Sequence, residues 1–225
     1  MEYKPTLTRN TIRSLSNNSV ALRRLDGMHY LDRLSIHLVV ADKKPSALLS
    51  LRRSDDTKMI TKELRSSGLN IMHLEPQTTF LDVALSRDLF TCAMLVRYIK
   101  NDDKYNVGIT LGYPKNTVDS FINKSPGSIW SHQQMIDILS TKIVEGKKIP
   151  VFFAYLLHVP EILIEQNGVI YPDAPSKEHA MVHCEHIRNS YSELSNEIER
   201  EFGIKLAKQS SNKNIVSNGM FYYGR

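Results

Sequence analysis

Cysteine is scarce in this chain: two residues in 225, Cys92 and Cys184. They lie far apart inside apolar helical patterns, and nothing in their spacing asks for a bridge. A disulfide-stapled secreted scaffold and a cysteine-based zinc finger are therefore excluded, and a reducing compartment is indicated. Long apolar runs are missing as well. The most apolar stretch, Ile149 to Ile164, is interrupted by Pro150, His158, Pro160 and Glu161. It falls short of the roughly 20 apolar residues that a membrane span needs. Met1-Glu2-Tyr3-Lys4-Pro5 lacks the basic-then-apolar run of a signal peptide. Together these gaps lead to the expectation of a cytoplasmic protein that does not engage membranes. No Walker loop, no Gly-x-Gly-x-x-Gly and no Gly-x-Ser-x-Gly occurs. P-loop hydrolysis, fingerprint dinucleotide binding and α/β-hydrolase chemistry fall away with them.

What is present is ordinary for a folded chain, with 41% hydrophobic and 24% charged residues. That balance excludes a coiled coil, a collagenous chain and disorder throughout. The net charge of +5 permits an anionic partner without demanding one. No internal repeat is visible.

The apolar patterning predicts an α/β fold, with a mixed α+β arrangement also compatible: a central sheet, helices packed on it, and a long C-terminal amphipathic helix. Strands are expected at Leu34–Ala41, Leu69–Leu74, Phe80–Leu85 and Val151–Leu157. The last is apolar on both faces and so is placed at the sheet centre. Helices are expected over Lys58–Ser66, Arg87–Lys100 (capped by Ser86), Thr117–Asn123 and Trp130–Val144. The longest runs from Lys177 to about Phe202 behind a Ser176 cap. Its stripe is Ala180, Cys184, Ile187, Tyr191, Leu194, Ile198 and Phe202, ending at Gly203. Residues 1–30 read as a polar basic segment, 31–205 as a single domain and 206–225 as a loose tail. Met220-Phe221-Tyr222-Tyr223 in that tail are candidates to dock on the body.

Segment 107–121 has helix-turn-helix spacing. Gly108, Gly112 and Val118 stand where a helix crossing, a turn and an apolar anchor are required, with Val107, Leu111 and Phe121 as further anchors. Lys115, Asn116, Thr117 and Ser120 would face nucleic acid. Gly112, Tyr113 and Lys115 are the candidate contacts for a ligand, whether a small anion or nucleic acid. Leu111-Gly112-Tyr113-Pro114, with Val118 and Phe121, resembles the Leu-Gly-Tyr-Pro motif of uncharacterised archaeal and bacterial families. In one of these a Cys-Cys pair follows the proline after one residue, and a later His-Pro-Cys element precedes a long helix. Here Lys115, Asn116 and Thr117 follow Pro114, and Glu161 follows Pro160. A cysteine-borne metal or redox role is therefore not implied for this chain. The resemblance spans residues 85–200 and implies kinship without an activity.

The chemistry-bearing constellation is histidine. His179, His183 and His186 share one flank of the long helix, and His-x3-His is a spacing that can hold a divalent ion such as zinc. His158, closing the expected strand 151–157, and Asp173, in the loop before the helix, are candidate catalytic groups that would complete the site. The leading expectation is an enzyme with a histidine-lined pocket, performing acid–base or metal-assisted hydrolysis. The alternatives are a nucleic-acid-associated protein using segment 107–121, or a non-catalytic interaction subunit.

Overall fold

The computed structural model describes residues 28, 30–52, 55–66, 68–74, 80–124 and 126–211. The expectations for residues 1–27 and for Met220–Tyr223 lie outside them. The chain divides into two compact units, Met1–Gly112 and Tyr113–Arg225, where one domain over 31–205 was expected. The architecture is mixed α+β. Among the described residues it comprises eight α-helices, a three-stranded antiparallel sheet and a two-stranded hairpin. No helix of the described residues is long and apolar enough to cross a membrane.

In the N-terminal unit α1 (Tyr30–Val40) is followed by β1 (Ser46–Arg52), α2 (Asp55–Ser66), β2 (Asn70–His73), β3 (Phe80–Ser86), α3 (Leu89–Lys100) and α4 (Lys104–Thr110). The sheet order is β1-β3-β2. Antiparallel register pairs Ala47 with Leu85 and Leu49 with Val83, while Ile71 faces Leu85 from the other side. Period-2 alternation therefore gathers Ala47, Leu49, Leu51, Ile71, Val83 and Leu85 on one face. Ile36, Val39 and Val40 of α1 join this core with Ile60 and Leu64 of α2.

One strand expectation fails here. The segment expected as strand Leu34–Ala41 belongs to helix Tyr30–Val40, and Ser46–Arg52, which shows no clear pattern in the sequence, is the strand. Helix α1 is buried nearly all round, with Arg33, Leu34, Ile36, His37, Leu38, Val39 and Val40 enclosed. A helix without a solvent face shows no 3.6-residue period, so its β-branched content reads as strand. Helix α3 is capped by Asp88 rather than Ser86. The Asp88 carboxylate accepts from the Thr91 N–H and hydroxyl, both at 2.7 Å. Those bonds hold it below the usual carboxylate range.

The C-terminal end of α4 is closed by side chains from the turn before β1 and from the first residue of β1. Ser46 Oγ donates to the Thr110 carbonyl at 2.7 Å, and Lys44 Nζ donates to that of Leu111. These serve carbonyls with no partner inside their own helix. Lys44 is 3% exposed, and burial pushes its pKa down to about 7. Beyond Leu111, Gly112 takes φ +80, and a Cβ there would stand 2.7 Å from Pro45 Cδ. Gly112, a candidate ligand contact in the sequence, is a conformational and packing necessity here.

The C-terminal unit holds α5 (Lys115–Asn123), α6 (His132–Val144), a 3-10 turn (Val151–Tyr155), the hairpin β4 (Leu163–Gln166) and β5 (Val169–Pro172), α7 (Ala174–Ser190) and α8 (Ser192–Ser211). The expected central strand Val151–Leu157 is thus a 3-10 turn. A short run apolar on every side suits any buried segment, and packing overrides its β propensity. Phe153, Ala154 and Tyr155 are enclosed, and the turn packs on α7 and α8. The expected long helix is two, broken at Tyr191, whose φ −145 and ψ 63 leave the helical region. The break turns the stripe: Ile187 and Ile198 are fully buried, Tyr191 and Leu194 only half, and Ser195 takes the buried place. Gly203 does not end α8. The enclosed Leu206 on the next turn outweighs the ~1 kcal/mol a mid-helix glycine costs, and α8 continues to Ser211.

Two measurements check this account. Gly112→Ala should lower stability by about 2–4 kcal/mol, from left-handed strain plus the clash with Pro45, read as a shifted denaturant midpoint at unchanged slope. For Lys44, the ammonium is charged in both states below pH 7, and its burial cost counts in full. Between about 7 and 10.5 the folded protein has shed a proton that the unfolded chain still holds. Stability should therefore climb with pH there, by at most ~1.4 kcal/mol per unit. Lys44→Met should remove that climb.

Candidate functional site

The C-terminal unit brings together residues that the sequence scatters. Asp173 caps α7: its Oδ1 accepts the Ser176 N–H at 3.0 Å, so the helix starts three residues before the expected Ser176 cap. Ala174 and Pro175 form its first positions, where proline's missing donor costs nothing. Cap duty is only part of what this 6%-exposed carboxylate does. Its Oδ2 accepts the Ser176 hydroxyl at 3.0 Å and the Glu161 N–H at 2.8 Å. Asn116 Nδ2 reaches Oδ1 at 3.3 Å and Glu161 Oε2 at the same distance.

Ser176 passes the connection on. With its proton directed to Asp173, its oxygen is left to accept from His158 Nε2 at 3.1 Å. That assigns the Nε2–H tautomer by the logic of the network. Thr117 Oγ1 lies 3.4 Å from the same oxygen. The order Asp173–Ser176–His158 differs from a hydrolytic triad, in which histidine stands between the other two. Ser176 is also fully enclosed, so its hydroxyl is a bridge and not a nucleophile.

From His158 the cluster continues through rings. His158 lies 5.0 Å from His179, and His179 lies 4.1 Å from His183, both edge to face. Tyr113 closes the other side at 5.4 Å from His158, and burial pushes its phenol up to about 12. His183 Nδ1 approaches the Tyr155 carbonyl at 3.4 Å. His158 and His183 are 3% and 1% exposed; His179 alone of the three is partly open to solvent. Two charged rings about 4 Å apart repel by about 4 kcal/mol at an effective dielectric of 20.

His158, His179 and His183 lie in ring contact; His186 does not join them. His186 packs beside Tyr191, at 5.9 Å, because two turns of helix carry it about 10 Å along the axis from His179. Among the described residues no set of three His, Cys, Asp or Glu side chains is arranged to hold one metal ion. The zinc site expected from His179, His183 and His186 is therefore not assembled among the described residues. Asp173, expected as catalytic, is committed to four donors and shut from solvent. Of the expected ligand and nucleic-acid contacts, Thr117 and Ser120 are buried, Asn116 is held by Glu161 and Asp173, and only Lys115 is exposed.

A second, partly buried network was not legible beforehand. Glu199 Oε1 accepts from Tyr155 Oη at 2.7 Å, Arg188 Nε at 2.8 Å and Ser195 Oγ at 3.2 Å. It ties the 3-10 turn to both long helices. Only the Arg188/Glu199 charge pair could have hinted at it, and eleven residues across a helix break conceal that pairing.

Asp173→Ala should cost about 3–5 kcal/mol in a denaturant melt, since it removes a cap worth ~1 and leaves several buried donors at ~1–3 each. Asp173→Asn keeps one acceptor oxygen and should recover part of the loss. Equal, small effects from both would mean the carboxylate does not organise the cluster.

Compared with known proteins, this chain matches no family model, no curated protein and no solved structure. The likeness drawn from Leu111-Gly112-Tyr113-Pro114 therefore stands on those residues alone.

Proposed function

We propose that the C-terminal unit carries a proton-transfer site for acid–base hydrolysis of a small substrate in the cytoplasm, with His179 as the group that meets substrate. One observation carries this reading: three imidazoles in continuous ring contact, two enclosed and one partly open. A general base must be reachable and held in a definite orientation. His179 is reachable, while His158 and His183 fix it from either side. His158 is in turn oriented through Ser176 by Asp173. In this role His179 takes the proton of an attacking water and returns it to the leaving group. His158 and His183 are positioning residues, as are Ser176 and Asp173. No step requires a metal ion or a serine nucleophile. Burial of both cysteines as free thiols accords with a reducing compartment.

Histidine side-chain NMR between about pH 5 and 8 tests the reading, because a working acid–base group must change protonation there. The His179 signals should carry the largest titration shift, and His158→Gln should move their midpoint through lost coupling. A His179 that titrates as an isolated imidazole, indifferent to His158→Gln, would remove the basis of the proposal.

A further inference from the structure

The solvent-facing flank of α7 forms an open groove of about 630 Å³ against the 3-10 turn. That volume falls within the ~300–1,000 Å³ typical of small-molecule sites. Much of the lining is apolar: Val151 and Phe152 come from the turn, and Ala174, Met181, Val182 and Cys184 from α7. Phe152 stacks on Tyr171 at 6.4 Å, which steadies its ring. Met181 and Val182 are 49% and 46% exposed. Adjacent apolar side chains left open in a concavity mark a surface that a ligand covers.

Helical spacing orders this surface. Glu178, Met181, Val182 and Glu185 stand at i, i+3, i+4 and i+7, one stripe on one face of α7. The stripe reads carboxylate, two apolar side chains, carboxylate. Seven residues of helix set its acidic ends about 10 Å apart. Both glutamates are exposed, and no salt bridge or hydrogen bond to either occurs among the described residues. The cations of the lining are engaged elsewhere. Arg188 Nε lies 2.8 Å from Glu199 Oε1, and Lys177 Nζ sits 4.6 Å over the Tyr171 ring. Charge complementarity therefore asks for a positive group at each end and apolar matter between. An anion is repelled at both ends, and a monocation satisfies only one.

We infer that this groove binds a linear diamine, its two ammonium groups on Glu178 and Glu185 and its methylene chain on Phe152, Met181 and Val182. An extended eight-carbon diamine, nine bonds from nitrogen to nitrogen, spans about 11 Å and matches the stripe; a four-carbon one spans only about 6 Å. The whole chain carries +5, so a dication has no general attraction to it and must be held locally. The site uses none of the histidines and is independent of the acid–base reading.

Methyl NMR of the full chain at neutral pH, titrated with the terminal diamines diaminooctane and diaminobutane, tests the inference. Diaminooctane should move the Met181 and Val182 methyl signals with a Kd of about 1 mM, an ordinary value for so small a ligand. Diaminobutane reaches one carboxylate at a time and should bind about three- to tenfold more weakly, the modest factor that an exposed ion pair supplies. Glu178→Gln/Glu185→Gln, two exposed substitutions, should weaken diaminooctane by a similar factor and abolish the preference for length. Methyl signals unmoved by diaminooctane up to about 10 mM would overturn the inference. So would equal affinity for the two diamines, or a length preference that the double variant keeps, since apolar chain length alone would then explain it.

Discussion

The C-terminal unit depends on one buried carboxylate. Asp173 follows the β4–β5 hairpin, starts α7, and gathers donors from three places in the chain: Asn116 on α5, Glu161 before β4, and Ser176 on α7. A buried charge is tolerable only when it is met by enough donors. Here two backbone N–H groups, a hydroxyl and an amide meet it. The consequence is positional. Ser176 is fixed relative to the cap, His158 relative to Ser176, and the ring contacts carry that order to His179. His179, the one partly open imidazole of the three, thus stands at the end of a chain of hydrogen bonds and ring contacts that begins at a helix cap.

The same arrangement separates two kinds of group that a linear reading mixes. Asp173 and His158 carry suitable chemistry, but burial confines them to holding. His179 is equivalent in type and differs only in exposure. Burial on α7 follows from which residues meet the 3-10 turn and α8. His183 points at Tyr155 and is enclosed, whereas His179 lies one turn nearer the helix start and keeps a path to solvent.

Much of this was legible where the physics is local. Helices α3 and α6 announce themselves by period, and strands β2 and β3 by short apolar runs between turn residues. The spacing of His179 and His183 guarantees their meeting on any helix, whereas only the fold brings His158 beside them. What was not legible is set by packing. An all-apolar run at Val151–Leu157 carries no period, so nothing in it distinguishes a strand from a 3-10 turn. Helix α1 hides its period by having no exposed side. The break at Tyr191 has no proline or glycine to mark it; Tyr155, Ser195, Arg188 and Glu199 hold the two helices in their broken arrangement. Two local signals went unused: Asp173-x-x-Ser176 is cap spacing, and Asn167-Gly168 is the strongest short hairpin signature.

That hairpin turn has a consequence out of proportion to its exposed position. Asn167 and Gly168 both take positive φ, 50 and 75, the twist that matches two antiparallel strands. The turn locks Gln166 opposite Val169 and Leu163 opposite Pro172, and Asp173 is the next residue. Its own N–H is anchored to the Ile162 carbonyl. A strand that slips by one residue sends every side chain to the opposite face. Inserting or deleting a single residue at this solvent-exposed loop would therefore swing the Asp173 carboxylate away from its donors. Changing the exposed side chains of Glu165 or Gln166 would leave it in place. Loop tips commonly absorb length changes; here chain length at the tip acts as the gauge that sets the buried site.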